Sequence, residues 1–291
     1  MSDGSRAPLI GIMQGRLLPP AEGRFQSFPR DGWEAEFPLA SAAGLDAIEW
    51  IYDVFGEDVN PLATDAGIAL MHELGRTHGV AVVSTCADYF MDRPIVRAGA
   101  DERRDIVSRL FWLIERARRA GIERIVLPFV DASRISGDAD LQVASAVLRD
   151  VLPAAERAGV ELHLEADLAP APFAAWLAEV PHPGLKVNYD SGNSASLGYR
   201  PDEEFAAYGA RIGSVHIKDR RLGGGTVALG TGDADLPAVF SGLRRLQYRG
   251  DIVLQAARPE PGAEVVRAAG DRRFVQRGLQ ATQGERRASA S

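Results

Sequence analysis

RAGVELHLE, residues 157–165, holds the junction on which the fold turns: an Ala- and Arg-rich amphipathic run stops at Gly159 and a strand-like alternation begins at once. A glycine after a helical run supplies the left-handed cap that sends the chain into the next strand. The same junction recurs as AAGLDAIEW at 42–50, THGVAVVS at 77–84 and RAGIERIVL at 119–127. Working outward, strands are expected at 8–13, 45–51, 79–85, 122–128, 160–165, 185–190, 213–218 and 251–255. Helices are expected at 33–43, 64–78, 99–120, 138–158, 171–179, 201–210, 234–247 and 264–279. Strict alternation calls for a parallel α/β sheet, and eight repeats close it into a single (β/α)8 TIM barrel. The competitor is an open nucleotide-binding sheet, but GIMQGRLL at 11–18 lacks the GxGxxG that should follow its first strand. The barrel is expected over 8–280, with residues 1–7 and 281–291 as disordered tails and no linker dividing the chain.

The bulk numbers agree with a large packed core, since 46% of the 291 residues are hydrophobic and 25% charged. A net charge of −7 argues against nucleic acid, because neutralising phosphates needs a basic surface. The single cysteine, Cys86, rules out an intramolecular disulfide, and it reads as a packed thiol. No signal-peptide pattern or membrane-length apolar run is visible, so a soluble, cytoplasmic protein without a membrane partner is expected. Only two of the 33 basic residues are lysines, Lys186 and Lys218, and both fall in strand-like segments. A compact ammonium and a planar guanidinium do different work, so these two positions attract notice.

Residues two apart on a strand share a face. Strand five therefore aligns Glu161, His163 and Glu165; strand six aligns Lys186, Asn188 and Asp190; strand seven aligns Ser214, His216 and Lys218. Barrel interiors are ordinarily aliphatic, and unpaired buried charge is costly, so three neighbouring polar ladders must pair or bind something. Glu161 and Lys186 could pair low in the barrel, while the upper layer sits at the C-terminal mouth where such barrels do chemistry. Glu165, Asp190, His216 and Gln255, which ends DIVLQ at 251–255, form a candidate metal quartet. Carboxylate, imidazole and amide oxygen suit a divalent cation, Mn²⁺ first, with Mg²⁺, Co²⁺ and Zn²⁺ as the other candidates.

These residues carry a resemblance. GLDAIEW at 44–50, LHLEADL at 162–168, NYDSGN at 188–193, SVHIKDR at 214–220 and GTGDADL at 230–236 resemble the xylose isomerase-like TIM barrels, which include sugar-phosphate isomerases and epimerases, ketose 3-epimerases and inosose dehydratases. The resemblance implies one divalent metal on Glu165, Asp190 and His216, with Gln255 where the family has a glutamate. It implies a sugar or sugar phosphate as substrate and a homodimer or homotetramer as the assembly. It further implies proton abstraction beside a carbonyl through a metal-stabilised enediolate. Asn193 stands where ketose 3-epimerases usually carry a histidine, and Leu222 where they carry an arginine, with Arg220 and Arg221 close by.

An amide cannot accept a proton as a carboxylate does, so Gln255 weakens the familiar two-carboxylate epimerase. One-base isomerisation by Glu165, with Lys218 serving the substrate oxygens, is the preferred reading. The alternatives are a 3-epimerase in which Glu49, Asp167 or Lys218 replaces the missing base, an inosose-type dehydratase, and a non-catalytic sugar-binding barrel with a decayed metal site. Substrate contacts are expected from Glu49, Gln14, Arg16, Asn193 and Arg220. Gln14 and Arg16 open a loop at 14–33 long enough to serve as a lid, and Trp50, Tyr89 and Phe129 are candidates for an apolar wall against a sugar ring. KDRRLGGGT at 218–226 offers cations and amides to a phosphate.

Overall fold

The computed structural model describes residues 8–281; of the tails expected at 1–7 and 281–291, all but residue 281 lies outside the described residues. Eight parallel strands close into a barrel: Ile10–Met13, Ala47–Ile51, Ala81–Cys86, Arg124–Phe129, Glu161–Ala166, Leu185–Asp190, Ile212–Ile217 and Asp251–Leu254. Below they are called strands one to eight. The ring closes where Ile10 pairs with Ile252 in parallel register. Gly44, Gly79, Gly121 and Gly159 all adopt φ between 67° and 74°, the left-handed turn that the four repeated junctions require.

Seven of the eight expected helices appear within a few residues of their expected ends, among them Asp65–His78, Ala100–Ala120 and Asp138–Ala158. The expected helix at 33–43 begins as a tight turn, Trp33–Ala35, before becoming α-helical over Glu36–Ala42. A further helix, Ser191–Leu197, directly follows strand six. Its small residues give no amphipathic stripe, and it forms because the Asp190 carboxylate accepts hydrogen bonds from the amides of Gly192 and Asn193, both at 2.8 Å.

The aromatic wall expected from Trp50, Tyr89 and Phe129 does not form. Trp50 is fully buried outside the barrel against Trp33, Phe28 and Phe37; Tyr89 stacks on Tyr52; and Phe129 meets Trp176 edge-on. Each ring closes a packing layer, because an aromatic body is worth more in the core than at a wet mouth.

The loop after strand one is anchored by buried polar groups. Glu36 is completely buried, its Oε1 accepts the Gly15 amide at 2.7 Å, and burial lifts its pKa to about 8. The unfolded chain holds that proton only below about pH 4.3, so the folded state carries the extra proton between the two values. Stability should therefore fall as pH rises from about 5 to 8, with a slope of up to about 1.4 kcal/mol per pH unit from this group. Urea denaturation across that range should show the decline in the native chain and a flatter profile in Glu36→Gln. An unchanged slope would remove Glu36 as its source.

Candidate metal and proton-transfer site

Strands five, six and seven deliver Glu165, Asp190 and His216 to one buried cluster whose ligand atoms lie within 4.8 Å of one another. His216 Nδ1 stands 3.3 Å from Glu165 Oε2 and 3.9 Å from Asp190 Oδ2. It is buried and has no hydrogen-bond partner. On the other side of the ring, Nε2 is 2.6 Å from Glu49 Oε1. An imidazole held from behind by a carboxylate, with its second nitrogen facing two more, has the arrangement of a metal-ligating histidine. Burial works against a charged ring, yet the carboxylates of Glu49 and Glu165 hold the proton affinity of His216 well above the ordinary histidine range. Oxygen and imidazole donors, an orphaned nitrogen and an excess of buried carboxylate therefore fit a divalent cation.

Glu165 is fixed by two amides. Asn188 Nδ2 donates to Oε2 at 2.8 Å and Asn193 Nδ2 donates to Oε1 at 2.6 Å. Behind Asn188 a chain descends through the barrel: Ser214 Oγ donates to Asn188 Oδ1, His163 Nδ1 meets Ser214 Oγ, and His163 Nε2 meets Glu161 Oε2. Contacts between strands five and seven, which are not neighbours, can run only through the interior. The ladders expected from the alternation thus face inward, but Glu161 takes His163 rather than Lys186 as its hydrogen-bond partner.

The remaining expected residues divide into two groups. Glu165, Asn193, Lys218, Arg220 and Gln255 line one cavity of about 350 Å³ at the C-terminal mouth, a size suited to a small polar ligand. Arg220 spends its guanidinium on Gly224 O and on Asn193 Oδ1, so it braces Asn193 toward Glu165. Lys218 Nζ lies 2.9 Å from Gln255 Oε1 and 3.4 Å from Asp190 Oδ2, so the amide oxygen of Gln255 accepts from an ammonium.

Glu49, Gln14 and Arg16, expected as substrate contacts, are not among the residues that line this cavity. Glu49 is 1% exposed and stands behind His216. Gln14 Oε1 accepts the amide of Ile51, and Arg16 holds Phe25 O and Gln26 Oε1. A strand-end position such as that of Glu49, or the opening of a long loop as at Gln14 and Arg16, does not give the depth at which a long side chain finds a partner.

Three further buried or cavity-lining positions carry no expectation from the sequence. Asp88 and Gln26 both line the cavity; Asp88 continues the inward phase of Ser84 and Cys86, the same period-two signal that located the other ladders. Gln26 carries no such signal, because it arrives on a loop. The third, Asp219, is fully buried and accepts the amides of Gly230, Gly232 and Ala234, which ties GTGDADL to the end of strand seven. A Cβ at Gly232 would stand 2.1 Å from Asp219 Oδ1, so only glycine lets this carboxylate in. A larger cleft of about 700 Å³ lies beside the Asp65–His78 helix at the opposite end of the barrel, far from this cluster.

Fold and site together define a (β/α)8 barrel with a carboxylate–histidine cluster at the C-terminal end of its strands. The family model of the xylose isomerase-like TIM barrel matches residues 37–273, and the chain belongs to that family. The search of curated proteins found no match. Among solved structures, a D-psicose 3-epimerase with D-tagatose from Clostridium cellulolyticum H10 aligns at TM-score 0.74 and 15% identity, covering 93% of this chain and 99% of that one. An L-ribulose 3-epimerase aligns at 0.74 and 19%, covering 97% of each. The IOLI protein with a binding zinc atom aligns at 0.71 and 18%, covering 93% and 98%. At these identities the likeness shows a shared fold. Among the described residues, no helix is long and apolar enough to cross a membrane.

Proposed function

We infer that this protein is a divalent-metal-dependent sugar isomerase or epimerase in which Glu165 removes the proton beside a substrate carbonyl. The observation that carries this reading is the state of Glu165: a carboxylate clamped by two asparagine amides, beside Asp190 and the unpartnered His216 Nδ1, and open to the mouth cavity. The sugar epimerases among the structures sharing this fold support the substrate class, and the zinc-binding neighbour supports a metal.

Glu165, Asp190 and His216 would hold the ion, Mn²⁺ being preferred for its oxygen-rich donor set. Bound there, it would polarise substrate oxygens and offset the charge they gain. The chain's own residues supply the rest. Asn188 and Asn193 fix where the oxygens of Glu165 point, and Lys218 presents an ammonium to substrate hydroxyls. Glu49 fixes the ring of His216.

The test is solvent-deuterium wash-in, followed by NMR, into D-tagatose, D-allulose, L-ribulose and their phosphates, with protein stripped of metal and then supplied with Mn²⁺. Exchange that appears with Mn²⁺ and ends with chelator is the expected result. Failure of all these sugars to exchange, with no metal retained on purification, would leave a ligand-binding barrel instead.

A further inference from the structure

Gln255 is not an inert stand-in for a glutamate. Its Oε1 accepts from Lys218 Nζ at 2.9 Å, so its Nε2 is turned to Gln26 Oε1, also at 2.9 Å. Gln26 Oε1 accepts a second donor, Arg16 Nη2 at 3.1 Å, and its Nε2 is thereby turned to Asp88 Oδ2 at 2.8 Å. Every donation in the chain Lys218, Gln255, Gln26 runs one way and ends on the Asp88 carboxylate. A glutamate at 255 could not make the second link, because an ionised carboxylate has no hydrogen to give.

Asp88 is 6% exposed and lines the same cavity as Glu165. In the ring order, strands eight, one, two and three form one arc and strands four to seven the other. Asp88 follows strand three and is tied through Gln26 to the end of strand eight, so it belongs to the arc that lacks a carboxylate at Gln255. The two groups have different surroundings. Glu165 accepts two amide donors, one on each oxygen. Asp88 is held by one amide and by the thiol of Cys86 at 3.1 Å. Burial, the largest cause, raises its pKa to about 6, with the charges of Asp53 and Glu165 acting in the same direction. The buried Arg16 guanidinium feels the charge of Asp88. Two carboxyl groups carried on opposite arcs of the ring and lining one cavity are what inversion at one carbon needs.

We propose that Asp88 is the second proton-transfer residue of this barrel, returning a proton to the face of the substrate carbon opposite Glu165 and so taking the place of the carboxylate that strand eight lacks. This rests on Glu165 being the base, and it turns the chemistry from one-base isomerisation to epimerisation. The C–H electron pair moves into the enediolate as the proton passes to Glu165. The pair returns to the same carbon as Asp88 gives its proton to the other face. Glu165 is left protonated and Asp88 ionised; loss of a proton to solvent by the first and gain of one from solvent by the second restore the starting state.

The experiment compares the native holoenzyme with Asp88→Asn and Asp88→Glu in D₂O with Mn²⁺, following wash-in and inversion separately on D-tagatose, D-allulose and L-ribulose. Asp88→Asn is expected to lose inversion by about 100-fold or more while recovered substrate still gains deuterium at the carbon facing Glu165. Asp88→Glu should restore part of the inversion, which a merely structural role would not do. Inversion at the native rate in Asp88→Asn overturns the proposal. Exchange by the native enzyme without inversion, or with transfer between adjacent carbons, also overturns it while leaving Glu165 as base. No exchange at all sinks the Glu165 reading and this one together. Should the asparagine variant not fold, the native enzyme still decides: two-base inversion puts a solvent-derived hydrogen in every inverted molecule. Inverted product that keeps the substrate's own hydrogen overturns the role of Asp88.

Discussion

Glu165→Gln is expected to lower solvent-deuterium wash-in into a ketose by about 10² to 10⁴-fold, the contribution of a positioned general base. An amide keeps the volume of the side chain and can still offer an oxygen to a cation, but it cannot take a proton. The loss should therefore persist when Mn²⁺ is raised to saturation. Recovery of the native rate at high Mn²⁺ would make Glu165 a ligand only and remove it as base. The fold should survive, at a cost on the order of 1 kcal/mol. A glutamine has one acceptor oxygen, whereas Asn188 and Asn193 each donate to a separate oxygen of Glu165, so one of the two amides must give up its bond. Thermal melting checks this second part.

Glu49→Gln is expected to weaken Mn²⁺ binding by about 10- to 100-fold. The side chain is completely buried behind His216 and holds Nε2 at 2.6 Å, so its charge acts on the ring rather than on a substrate. Removing the charge leaves Nδ1 a poorer donor and its ring less firmly oriented. Isothermal titration of metal-free protein reads the affinity directly, and the apparent KM for sugar at saturating Mn²⁺ should move little. A raised sugar KM with unchanged metal affinity would return Glu49 to the substrate side. The contrast matters because position at the end of strand two suits both roles.

The two predictions separate the kinds of information in the chain. Glu165, Asp190 and His216 were legible because the period of a strand is two, and three adjacent polar ladders cannot all face a packed helix layer. The capping glycines were legible for a similar reason, since Gly159 and its counterparts occupy backbone conformations that side chains rarely adopt. The helix Ser191–Leu197 was not, because its start depends on which way the Asp190 carboxylate turns. One oxygen of that carboxylate caps the helix and the other faces His216 and Lys218.

What the sequence by itself determined is the sequence of β/α units, the closure number and the three residues at the mouth, all of them properties carried by neighbours along the chain. What only the tertiary structure decided is who meets whom. Glu49 finds His216 across 167 positions, Gln26 finds Asp88 across 62, and Gln255 finds Gln26 across 229. Those meetings are set by barrel closure and by the depth at which each long side chain stops, and local periodicity contains neither. The glutamine at the end of strand eight therefore looked like a missing base in the sequence. In the folded barrel it is a hydrogen-bond donor, because the ammonium of Lys218 occupies its oxygen and leaves its amide turned toward Gln26 and, beyond it, Asp88.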